Sequence, residues 1–265
     1  MLTLLEHGVS PPYSERPDTG LEIRGVDGSS LFRYGQSEFL FGKIDSVPPL
    51  IVKTLLFLEN RDLDRPATRW QNPVIEWDRI LKAALLYVGA KVHLPVPVQG
   101  GSTLAVQLEK FRHSPNGRTD SPLEKLRQIM GASLKAYQEG ANTRVWRERI
   151  IVDYLNSVPL AAAPGYGEIH GLGEGLYAWF GMRLDDVSAA LNTPGLTPAK
   201  IRAFKHVLTL LISVRAPSVF LVDERSSLEE KVGQFTRLMA RSGLIDWEMA
   251  AELQEMPIRF LPTAP

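Results

Sequence analysis

The residue types best suited to chemistry cluster in VQGGSTLAVQLEKF, residues 98–111. Gly100 and Gly101 permit close backbone approach, and Ser102 or Thr103 can cap the helix that the following pattern predicts. Gln107 and Lys110 recur three residues apart along that helix. Free N–H groups at a helix start, with hydroxyls and a lysine about two turns along, suit a phosphate or pyrophosphate oxygen. An ordinary helix cap accounts for the same residues, so both readings stand. Glu59 closes the apolar run TLLFLE. A carboxylate buried there suits general acid or base work, whereas one pointing to water is only a helix end. His170 in GEIHG has no second histidine at ligand spacing, which argues for a surface hydrogen-bonding group and against a metal site.

The totals constrain what these groups can serve. With 30 Lys+Arg and 30 Asp+Glu the chain has no net charge, and nothing in it argues for nucleic acid. The balance is local: residues 91–150 carry twice as many basic as acidic side chains, which fits either an anion-facing surface or a solvated helix face. The absence of cysteine excludes disulfides and thiolate metal sites. No stretch reaches the roughly 18–20 apolar residues of a membrane span, and the opening MLTLLEHGVSPPYSERPDTG lacks a basic start typical of a signal peptide.

Periodicity supplies the elements that must position these groups. Residues 1–20, with three prolines, form an irregular lead-in, and LEIRGVDGSSLFRYG (21–35) predicts a hairpin turning at Asp27-Gly28. Helical spacing predicts helices over 48–63, 74–90, from 102, 123–138 and 143–156. Further helices are expected at 175–180, 185–191, 197–213, 227–242 and 246–255, with 159–175 as a glycine-rich loop. The chain is therefore expected to be mainly α, with one small N-terminal β-hairpin and long irregular connections.

Four segments in order carry a resemblance: PPLIVKTLLFLEN, GGSTLAVQLEK, a stretch from Arg127, and RERIIVDYLNSV followed by GLYAWFG. Together they resemble the family 51 glycosyltransferases, the peptidoglycan glycosyltransferase (murein polymerase) domains of penicillin-binding proteins and monofunctional transglycosylases. The resemblance covers about residues 21–258 and implies a lysozyme-like helical fold, a single domain over 21–265 with head and jaw lobes. It implies polymerisation of lipid II into glycan strands with release of undecaprenyl pyrophosphate, Glu59 acting as base. Ser102, Thr103, Gln107, Lys110 and Arg127 are implied as contacts to pyrophosphate and sugar. No cofactor is required, no resident metal is implied, and a divalent cation (Mg2+ or Mn2+) would help neutralise pyrophosphate. The implied partners are lipid II, the growing glycan strand, the membrane surface and proteins of the cell-wall machinery. The implied location is the extracytoplasmic (periplasmic) face of the bacterial cytoplasmic membrane, with this chain as an excised domain whose anchor lies elsewhere.

Some positions depart from the family pattern. Asn60 stands where an aspartate is expected, Gln128 where a lysine is expected and Gly131 where a second glutamate is expected, with neither Glu124 nor Glu139 in register to replace it. These departures carry an alternative: a catalytically impaired relative that binds lipid II, glycan or cell-wall proteins without turnover. A third reading makes Glu59 the acid that cleaves glycan strands, although the GGST–QL–K pattern has no task in that chemistry.

Overall fold

The computed structural model describes residues 21–24, 30–34, 36–61, 63, 71–74, 103–113, 122–138, 140–163 and 165–261. The lead-in 1–20, the expected helix 74–90 beyond Val74, and Gly100, Gly101 and Ser102 lie outside them.

The described chain is mainly helical. Strands β1 (Leu21–Arg24) and β2 (Ser30–Tyr34) pair antiparallel with Ile23 opposite Phe32, forming the expected hairpin. Helix α1 (Pro49–Glu59) starts on a proline, whose fixed φ suits a first helical turn, and ends on Glu59. Helices α2 (Leu104–His113), α3 (Pro122–Ala136) and α4 (Arg144–Ser157) follow. Strands β3 (Pro159–Ala163) and β4 (Gly167–His170) then pair antiparallel within the segment expected to be a loop. Neither strand shows a clean alternation of burial, which is why period-two reasoning misses them. Helices α5 (Leu172–Phe180), α6 (Leu184–Asn192), α7 (Pro198–Ser213), α8 (Arg225–Arg241) and α9 (Trp247–Glu255) complete the order.

The chain divides into two compact units, one containing Glu59–Ile151 and the other Val152–Pro265 with the segment ending at Leu58. In the second unit α7 is buried on every side from Phe204 to Ser213 and packs against α5, α6, α8 and α9. Its buried polar members are satisfied within the fold: Lys205 donates to the Leu253 carbonyl, and Thr209 and Ser213 donate to carbonyls of the same helix. Thr197 caps α7 by accepting from the Lys200 N–H, and Asp246 caps α9 by accepting from the Met249 N–H. The YLN asparagine, Asn156, replaces a strand partner: its side chain both accepts from the Phe41 N–H and donates to the Phe41 carbonyl, each at 2.9 Å. Gly171 runs so close to the Asn156 carbonyl, at φ 82°, that a β-carbon there would stand 2.5 Å from its oxygen. The RAPS arginine, Arg215, donates to the Leu58 carbonyl at the C-terminal end of α1, where a cation complements the helix dipole.

Candidate active site

The first unit is organised by polar side chains that reach far along the chain. Glu59 is 9% exposed, and its Oε2 accepts a hydrogen bond from Gln107 Nε2 at 3.1 Å. The contact joins the end of α1 to the first turn of α2 and orients the carboxylate. Asn60 is buried, and its Oδ1 accepts from the Leu104 N–H at 3.3 Å, satisfying one of the free donors at the start of α2. An aspartate would offer the same acceptor, so the departure at residue 60 keeps the cap and drops the charge.

Thr103 is 1% exposed, and its hydroxyl donates to the Val74 carbonyl at 2.9 Å. Its side chain thus locks the entry to α2, a structural task different from the direct ligand contact implied by the resemblance. Ser102 lies outside the described residues. Lys110 is half-buried one turn beyond Gln107, and Lys125 of α3 comes near it. Burial first, and then the neighbouring Lys110 charge, hold the Lys125 ammonium below its ordinary pKa. Two cations that repel each other are stabilised by an anion between or beside them. Sequence reasoning passed over Lys125 because it lies two residues before the position matched to the family arginine, and only the packing of α2 on α3 brings it to Lys110.

Arg127 is exposed on α3, whereas Gln128 is 4% exposed. A lysine at 128 would have to bury its charge here, which is unfavourable without a partner, so a neutral amide suits the position. Gly131 faces α2: a β-carbon added there would lie 3.7 Å from Glu109 Oε2. The other oxygen of the Glu109 carboxylate, Oε1, accepts from Lys135 Nζ at 2.9 Å, with both side chains largely buried. No spacing along α3 points to Glu109, because it reaches position 131 from α2.

Arg147 of α4 holds the chain after Glu59. It is 5% exposed; its guanidinium donates to the carbonyls of Leu63 and Gln71 and to the Thr143 hydroxyl. Its planar fork suits several acceptors at once. The RERI segment carried this residue, but nothing in its spacing names the two carbonyls.

His170 stands at the end of β4, where its backbone N–H donates to Glu174, and it makes no part of this cluster. Among the described residues no three His, Asp or Glu side chains come together as a metal-ligand set.

The site therefore combines a buried, oriented carboxylate with an amide and a lysine on the helix that follows GGST. Such an arrangement can remove a proton from a hydroxyl beside an anionic leaving group. No curated protein matches the chain in sequence. The model of the transglycosylase family matches residues 27–237, most of the length. On that match the chain belongs to the transglycosylases, the peptidoglycan glycosyltransferases of glycosyltransferase family 51.

Proposed function

We propose that this domain polymerises lipid II, with Glu59 as the base on the acceptor. The observation that carries the reading is the buried Glu59 carboxylate, oriented by Gln107 from the helix after GGST. In the proposed step the acceptor 4-hydroxyl loses its proton to Glu59, and its oxygen bonds to the anomeric carbon of the donor. The bond from that carbon to the pyrophosphate oxygen breaks, and the electron pair leaves with undecaprenyl pyrophosphate. Lys110 and Lys125 stabilise the departing charge, Ser102 and Arg127 bind the same group, and Gln107 keeps Glu59 aimed. Thr103 acts behind them by fixing the start of α2.

A lipid-linked substrate places the reaction at a membrane surface, on the extracytoplasmic face in this reading. Leu126, Met130 and Leu134 of α3 support it: they recur every four residues and are each 42–52% exposed, an apolar stripe suited to the lipid boundary.

A second reading, binding without turnover, is favoured by Gln128 and Gly131, which remove a cation and an acid from α3. One experiment separates the two: purified protein with lipid II in detergent, with and without Mg2+, beside Glu59→Gln. Glycan strands from the parent, reduced about 100- to 10,000-fold in the variant, support catalysis with Glu59 as base. Lipid II binding without strands supports the second reading, and equal turnover by parent and variant removes Glu59 from the chemistry.

A further inference from the structure

We propose that Glu109, Lys135 and Gly131 form a brace that positions the cradle helix α2 for transfer, with Glu109 as its positioning residue. The inference rests on the reading of Gln107 and Lys110 as site residues and extends it to a group on the opposite side of the same helix.

Glu109 is two residues from Gln107 on a helix, about 200° around the axis. The two side chains therefore leave α2 on nearly opposite faces. On one face Gln107 binds Glu59 at 3.1 Å; on the other Glu109 binds Lys135 at 2.9 Å. Asn60 at the Leu104 N–H and Thr103 at the Val74 carbonyl hold the N-terminal end. The buried side chains of Leu104, Ala105, Val106 and Leu108 enclose α2, but apolar contacts are not directional, so its roll about its axis is set by polar ties. The Glu109 bond to α3 opposes that roll.

The burial of this pair argues that its geometry matters. A carboxylate and an ammonium with side chains 4% and 14% exposed lose hydration that their attraction repays only when well placed. The glycine provides the place. With a β-carbon position 3.7 Å from Oε2, residue 131 has room for a methyl group in ordinary contact with the carboxylate. Gly131 thus reads as the seat of an acid that arrives from α2, so the helix pair retains an acidic group beside position 131 although α3 does not supply it.

The test uses the whole chain and two readouts: amide hydrogen exchange over 104–113, and the kcat and KM of glycan formation from lipid II. Glu109→Gln is expected to speed exchange in α2 and to lower kcat about tenfold while KM changes less than about twofold, the signature of a displaced group rather than lost binding. Lys135→Gln is expected to do the same, and it carries the test if Glu109→Gln does not fold. The double variant Glu109→Ala with Gly131→Glu returns a carboxylate within an i,i+4 reach of Lys135 but ties it to α3 alone. It is expected to stay as impaired as Glu109→Gln. Parent-like exchange and kcat in both single variants would overturn the brace, and so would full recovery in the double variant. A parent that makes no glycan would remove the lipid II reading only, since the exchange readout still decides the brace.

Discussion

The two units place their polar hydrogen bonds differently. In the second unit, Thr209, Ser213 and Thr236 return their hydroxyls to carbonyls four residues back on their own helices. Those bonds satisfy the side chain and ask nothing of the tertiary structure. In the first unit the bonds cross the chain: Gln107 to Glu59 spans 48 residues, Leu104 to Asn60 spans 44, and Arg147 to Leu63 spans 84. The second unit has long reaches of its own: Lys205 to the Leu253 carbonyl, Asn156 to Phe41 over 115 residues and Arg215 to the Leu58 carbonyl over 157. What sets the first unit apart is convergence: the bonds from Glu59, Asn60 and Val74 all meet the first residues of α2 or its cap. A core closes on itself, while a site must assemble groups from distant segments with fixed aim.

The largest effect expected to break this comparison is Glu59→Gln. It should lower glycan formation about 100- to 10,000-fold while thermal unfolding stays within a few degrees of the parent. A stability loss of similar size to the activity loss would make Glu59 a structural group. The mirror experiment is Phe204→Ala at the fully buried centre of α7. Urea unfolding should show a loss of about 3–5 kcal/mol, with turnover per folded molecule unchanged in the cold.

Asn60→Ala comes next. Removing the acceptor for the Leu104 N–H should destabilise by about 1–2 kcal/mol, and chemical denaturation should show Asn60→Asp retaining part of that bond. Gly131→Ala is smaller and of opposite sign. A methyl group fits beside Glu109, and alanine in place of a mid-helix glycine should add up to about 1 kcal/mol, measurable by thermal unfolding.

The smallest predicted effect belongs to the second unit and depends on pH. Burial pushes the His206 imidazole below its ordinary value. Its Nε2 accepts from the Arg259 N–H, so Nδ1 carries the proton and donates to the Arg202 carbonyl at 2.7 Å. Protonation would turn Nε2 into a donor facing a donor. Below the ordinary imidazole pKa of about 6.5 the unfolded chain binds the proton more readily than the folded one. The stabilisation is fully present above that pH and is lost as pH falls through the folded value. Melting temperatures between pH 7.5 and 5 should show this slope, and His206→Gln should flatten it.

Much of the fold was legible because most helices carry strong periodicity and clear ends. The helices expected over 197–213 and 246–255 match α7 and α9, which Thr197 and Asp246 cap. The β3–β4 hairpin was not legible, since its alanines and glycines give neither period nor propensity; its pairing is decided by partners. In the site, Glu59, Gln107 and Lys110 were readable as types in sequence, but their relation was not. The spacing of Glu59 and Gln107 says nothing about a 3.1 Å bond.

By itself, then, the sequence determined the helical class, the order of the motifs, and which residues could act as base and anion partners, because those follow from local spacing and side-chain chemistry. Only the tertiary structure decided where the described residues sit and what they touch. It sealed Thr103 and Gln128 inside and brought Lys125 to Lys110. It also showed that the acid beside residue 131 comes from Glu109. Burial and long-range contact arise when separate helices pack, and no spacing along one chain segment encodes them.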